Sequence, residues 1–60
     1  MTEAQMAGLM FLWGVPPKER IKGRNPWELY EYAKRMALEH IGPGRKYDQI
    51  VRFAAKWLGV

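Results

Sequence analysis

Apolar side chains near the start of the chain recur with the spacing of an α-helix. Four of them follow the i, i+3, i+4, i+7 rule and would share one face: Met6, Leu9, Met10 and Trp13. Thr2 is a suitable N-cap, and Gln5 stands where it completes a capping box. Gly14 is the left-handed residue expected just past a helix end, and two prolines follow soon after it. These signals predict a first helix over residues 3–13.

The second helical pattern begins with the clearest start signal in the chain. Asn25 is a good N-cap, Pro26 suits the first helical position, and Glu28 stands where a capping box requires an acid. Apolar residues then recur on one predicted inward face: Leu29, Tyr30, Ala33, Met36 and Ala37. Gly42 interrupts the pattern, which therefore predicts a helix over residues 26–41.

The third pattern follows a short Gly-Pro-Gly turn and has helical spacing over residues 46–58. Its predicted inward face consists of Tyr47, Ile50, Val51, Ala54 and Leu58. The chain contains no strand pattern and no internal repeat. The expected fold class is all-α, a compact three-helix domain that takes in residues 1–60 as a single domain. Its first connection, over residues 15–24, reads as a long loop.

The composition narrows the classes of function. A chain of 60 residues forms one domain with a thin core, because a domain this small buries only about 60% of its unfolded surface. It has no cysteine, no serine and a single histidine, His40, so the usual nucleophile–base sets of catalysis cannot be assembled. Thiolate metal sites are excluded as well. We therefore expect a protein that is not an enzyme and has no cofactor, no metal and no small-molecule substrate.

The first residues give no targeting signal. They are acidic, whereas a signal peptide begins with basic residues. The apolar run over residues 6–15 is much shorter than the roughly 20 residues that a membrane-crossing helix needs. A helix lying on a membrane surface carries Lys and Arg on its polar face, and the first helix has neither. The expected localisation is cytoplasmic, without a membrane partner.

Polar residues form a basic stripe on the third helix, opposite its apolar face, in a chain of net charge +4. Four of them fall within a sector of about 60°: Arg45, Gln49, Arg52 and Lys56. Lys46 flanks them. Arginine can pair with guanine, glutamine with adenine, and lysine with phosphate. The order of second helix, short turn and third helix is that of a helix-turn-helix. The stripe therefore predicts contact with nucleic acid, and the alternative is the solvated polar face that every amphipathic helix has.

The first connection adds a second group of cations, opposed only by Glu19: Lys18, Arg20, Lys22 and Arg24. We expect these side chains to supply further phosphate contacts. If both groups lie on the same side of the domain, binding should depend steeply on salt, because each neutralised phosphate releases counterions.

Apolar side chains form a second candidate surface, because the first helix is apolar nearly all the way round. A helix of this kind is normally buried on all sides, yet a helix in a three-helix domain has only two neighbours. The residues predicted to meet a partner are Leu9, Phe11, Leu12 and Trp13, together with Trp27 on the second helix. Exposed apolar patches usually mark interaction sites. The alternative is that large side chains simply fill a small core.

Two hypotheses for function follow. The first is a small nucleic-acid-binding module, helix-turn-helix-like and dimeric, in which the third helix contacts the duplex and the first helix supplies the self-association surface. The second is a protein-interaction module, such as an inhibitor, an adaptor or a small subunit of a larger assembly. In that case the apolar first helix docks on another protein, and the basic residues serve solubility or meet an acidic partner.

Overall fold

The computed structural model describes residues 1–60 and is all-helical. Three helices, α1 (Glu3–Trp13), α2 (Pro26–His40) and α3 (Arg45–Leu58), pack into one compact body without strands. The predicted three-helix fold class is confirmed. The helix boundaries differ from the prediction by one residue at the end of α2 and one at the start of α3. The first connection is more ordered than a plain loop, because it contains a single 3-10 turn at Lys18–Arg20.

Both ends of α1 are fixed by the capping chemistry that the sequence predicted. Thr2 Oγ1 accepts a hydrogen bond from the backbone N–H of Gln5 at 3.1 Å, and Gln5 Oε1 accepts one from the Thr2 N–H at 2.9 Å. At the other end, Gly14 has φ 77, a left-handed conformation that glycine adopts without steric cost. The Val15 N–H then donates to the Met10 carbonyl at 2.8 Å. This closure turns the chain back and carries Val15 into the core.

The start of α2 is capped differently from the prediction. The Asn25 side chain accepts a hydrogen bond from the Trp27 N–H at 2.9 Å, and no bond links Glu28 back to the cap. The capping box expected here is therefore wrong. An asparagine oxygen satisfies the second helical N–H directly, so the helix start does not need the reciprocal bond from Glu28.

The core joins all three helices and the first connection. Eleven buried residues form it: Met6, Met10, Trp13, Val15, Ile21, Leu29, Ala33, Ala37, Ile50, Ala54 and Leu58. The most extensive helix packing is between α2 and α3. Ala33, Ala37 and Ala54 lie in this contact region of the core, and short side chains allow helix axes to approach closely. α1 and the first connection contribute only large side chains to the core, whereas α2 and α3 contribute alanines as well as Leu29, Ile50 and Leu58.

Two hydrogen bonds tie the end of α1 to the other helices. The hydroxyl of Tyr32 donates to the Trp13 carbonyl at 2.8 Å, and Trp57 Nε1 donates to the Val15 carbonyl at 2.9 Å. Both carbonyls lie at or just past the end of α1, where backbone acceptors lose their helical partners. No buried side-chain polar atom is left without a partner. The Trp57 bond in particular anchors the first connection to the C-terminal part of α3.

Candidate nucleic-acid interface

The polar face of α3 lies opposite the core, as the helical spacing predicted. Ile50, Ala54 and Leu58 are buried, whereas all five polar residues predicted for this surface are exposed: Arg45, Lys46, Gln49, Arg52 and Lys56. We call Arg45, Gln49, Arg52 and Lys56 the α3 stripe. A rise of about 1.5 Å per residue separates the two ends of this stripe by roughly 16 Å.

The cations of the α3 stripe have no acidic partner. The chain forms one salt bridge, between Lys34 Nζ and Glu31 Oε2 at 3.0 Å, and it lies on α2. The hydrogen bond that the Lys34 ammonium donates to the Glu31 carboxylate raises the pKa of Lys34 above its ordinary value. Arg45 and Arg52 share a shallow depression with Asp48, which lowers the local positive charge there without pairing with either of them.

Gln49 is engaged in an interaction that the sequence did not predict. Its Oε1 accepts a hydrogen bond from the Met1 amine at 3.0 Å. Bidentate recognition of adenine needs both the oxygen and the nitrogen of a glutamine amide. The bond to Met1 occupies one of the two lone pairs of this oxygen, so bidentate recognition of adenine by Gln49 would have to use the other. The charge of the stripe resides on Arg45, Arg52 and Lys56.

The basic residues of the first connection occupy a different place. Arg20, Lys22 and Arg24 line a groove of about 450 Å³ beside the end of α1, together with Phe11, Val15 and Ile21. We call this the loop groove. It shares no lining residue with the depression on α3, which is formed by Arg45, Asp48, Gln49 and Arg52.

Lys18 does not line the loop groove. A Cβ built on Gly59, just past the end of α3, would lie 3.1 Å from Lys18 Cδ, so the Lys18 stem packs at that end of the helix. A cation is favourable there, because the C-terminal end of a helix carries a partial negative charge. The nine residues predicted to contact nucleic acid therefore divide into three groups: the α3 stripe with Lys46, the cations of the loop groove, and Lys18 at the end of α3.

The residues predicted to meet a partner have unequal exposure. Phe11 is 62% exposed, Leu12 76% and Trp27 59%. Leu9 is half-buried and packs against the core. Leu38, which projects with Trp27 from α2, is exposed as well. A small domain with three helices thus leaves several large apolar side chains in water.

The prediction that Trp13 presents itself to a partner is wrong. Its side chain is 6% exposed and belongs to the core. The ring of His40 stacks on it, with centroids 6.1 Å apart and planes inclined by 23°. The helical spacing places Trp13 on the same face of α1 as Met6 and Met10, and that face packs into the core.

Comparisons with known proteins do not add to this description. No protein family, no curated protein and no solved structure matches the chain. No helix has the length and apolar character needed to cross a membrane. Histidine, aspartate and glutamate side chains do not gather in groups of three that could hold a metal ion.

Proposed function

We propose that this protein is a small nucleic-acid-binding module that lays the α3 stripe along a duplex. The observation that carries the proposal is the exposure of Arg45, Arg52 and Lys56 on one face of α3, with no acidic side chain paired to any of them. Unpaired cations on a rigid helix are available to phosphates without first breaking an ion pair. Each phosphate that they neutralise would release counterions and add to affinity.

The geometry of α3 suits a duplex. The stripe extends over roughly 16 Å, which is about half a turn of B-form DNA. A single helix fits the major groove, with arginine able to reach guanine and lysine able to reach phosphate. The connection between α2 and α3 has four residues, 41–44, a length typical of a helix-turn-helix.

The test is binding to a labelled mixed-sequence duplex at several salt concentrations. The double variant Arg52→Gln, Lys56→Gln should bind more weakly and should lower the slope of log affinity against log salt by about two, because each substitution leaves one phosphate without its cation. The control for each of the two single variants is Arg35→Gln, which removes one exposed charge that has no acidic partner from α2. Absence of duplex binding at low salt, or an equal weakening in the control, would contradict the proposal.

A second candidate function is a protein-interaction module, and the exposure of Phe11 and Leu12 favours it. These side chains are neighbours on α1 and expose 62% and 76% of their surface. In the first proposal Leu12 would join two copies of the chain, as helix-turn-helix dimers do on paired half-sites. Light scattering distinguishes the two cases. Self-association is supported if the unaltered protein has the mass of two chains and the Leu12→Glu variant has the mass of one. A single-chain mass for the unaltered protein favours a different partner or none.

A further inference from the structure

The loop groove is lined by more cations than the other depression described above and has no acid in its lining. Three cations line it, Arg20, Lys22 and Arg24, and no acidic side chain does. None of the three takes part in a salt bridge. Like charges that converge without a counter-charge repel one another, and an anionic ligand relieves that repulsion. The groove therefore fits a ligand with several negative charges.

The backbone of the connection holds these cations around the groove. Lys22 has φ 55 and is the only non-glycine residue with positive φ, and Gly23 follows it with φ 87. Two successive left-handed residues reverse the chain between Arg20 and Arg24, so that both line the same groove. A lysine in this conformation is strained, and the surrounding packing that fixes it includes the burial of Ile21.

Phe11 gives the groove an aromatic surface. Its ring meets that of Trp57 edge to face, with centroids 5.4 Å apart and planes at 87°. In such an arrangement at most one face of the Phe11 ring is covered by Trp57. With 62% of the residue exposed, a second flat group can stack on the ring.

We propose that the loop groove binds a single-stranded segment of nucleic acid. A base stacks on Phe11, and Arg20, Lys22 and Arg24 hold the neighbouring phosphates. A positively charged groove with an aromatic stacking surface is the combination that single strands require. The inference rests on the proposed function, because it names a second element of the same nucleic-acid target, a single strand next to a duplex.

An acidic peptide fits the groove less well. Protein partners gain much of their affinity from a few large side chains that are buried in well-packed pockets. Val15 and Ile21, which would form the floor of such a pocket, are only 1% and 8% exposed. They offer almost no accessible surface to such a side chain, whereas stacking needs only the open face of Phe11.

The experiment measures binding of labelled oligothymidylate, with a length of about ten nucleotides chosen to match typical single-strand sites. Phe11→Ala should weaken this binding by about 5- to 150-fold, the range for removal of one base–aromatic stack, and Phe11→Tyr should retain it. Leu38→Ala is the control, because Leu38 is an exposed apolar residue on α2 that does not line the groove.

The cations are tested separately, so that the result does not depend on one variant folding. The double variant Arg20→Gln, Arg24→Gln should lower the affinity for oligothymidylate. It should also reduce the slope of log affinity against log salt by about 1.4. Arg45→Gln, on α3, should change oligothymidylate binding by less than either groove variant. Circular dichroism would show that each variant keeps its helices.

Each outcome is decisive for the groove. Oligothymidylate binding that falls in both groove variants supports the proposal, even if the duplex is not bound and the function proposed for α3 fails. Absence of oligothymidylate binding at low salt, or unchanged binding in one or both of the groove variants, overturns it, even if α3 binds the duplex. Binding of a labelled peptide of alternating glutamate and leucine that depends on Phe11, without binding of oligothymidylate, also overturns it and assigns the groove to an acidic protein partner.

Discussion

The α3 stripe and the loop groove carry similar charge on two different kinds of support. The cations of the stripe stand on one regular helix, whose spacing alone places them on a common face opposite Ile50 and Ala54. Those of the groove stand on an irregular connection, which is shaped by the burial of Val15 and Ile21 and by the hydrogen bond from Trp57. The stripe therefore depends on local helix geometry, and the groove depends on tertiary packing.

The largest effect on stability is expected from a substitution in the core, on which both the α3 stripe and the loop groove depend. Ile50→Ala removes a fully buried side chain from the apolar face of α3 and should lower the free energy of unfolding by about 2–5 kcal/mol. A domain of this size has a total stability of only about 3–9 kcal/mol, so both regions should lose binding together. Denaturant unfolding measures the change. Gln49→Ala, one residue away on the exposed face, should alter stability by less than about 0.5 kcal/mol; a comparable destabilisation there would contradict this account of the core.

An intermediate effect should separate the two regions. Trp57→Phe removes the hydrogen bond to the Val15 carbonyl and leaves a part-buried acceptor unpaired, at a cost of about 1–3 kcal/mol. Because that bond ties the connection to α3, oligothymidylate binding at the groove should weaken more than duplex binding at the stripe.

The matched control for this change is Trp27→Phe. The Trp27 indole is exposed and makes no hydrogen bond through its nitrogen, so its replacement should leave stability and both binding activities within experimental error. Equal weakening of duplex and oligothymidylate binding by Trp57→Phe would contradict the view that the α3 stripe depends on helix geometry and the loop groove on tertiary packing.

The smallest expected effect concerns the strained backbone of the groove. Lys22→Gly relieves a left-handed conformation at a non-glycine residue and should raise stability by up to about 1 kcal/mol, part of which is offset by the greater freedom of glycine in the unfolded chain. The same change removes one cation and should reduce the salt slope of oligothymidylate binding by about 0.7. Lys22→Gln removes the charge without relieving the strain, so it should lower the slope alone. If both variants were more stable than the unaltered protein, the gain would come from the loss of charge repulsion and not from the relief of backbone strain.

The difference between the two regions also explains what could be predicted from the sequence. The exposure of Arg45, Arg52 and Lys56 follows from a period of 3.6 residues, and so does the burial of Ile50. The fold class followed from the same periodicity and from the Thr2 and Gly14 caps, which the structure contains.

The loop groove did not follow from any periodic pattern. Val15 and Ile21 are buried because α1 ends in a turn that carries the chain over the core, and a helical period says nothing about residues outside a helix. The grouping of Arg20 and Arg24 depends on the left-handed backbone at Lys22, a residue type that gives no sequence signal for that conformation. The hydrogen bond between Met1 and Gln49 joins residues far apart in the chain, so no local signal could have revealed it.

The place of Trp57 gives the protein a native optical probe of the groove. Its indole touches the Phe11 ring on one side and bonds to the backbone of the connection on the other, so a base that stacks on Phe11 changes the surroundings of this fluorophore. Trp27 lies largely in water on another helix and responds as a quencher-accessible reference. In a variant whose only tryptophan is Trp57, the intrinsic fluorescence would measure binding at the groove without a label on the protein. The same titration could follow a labelled duplex that binds to α3.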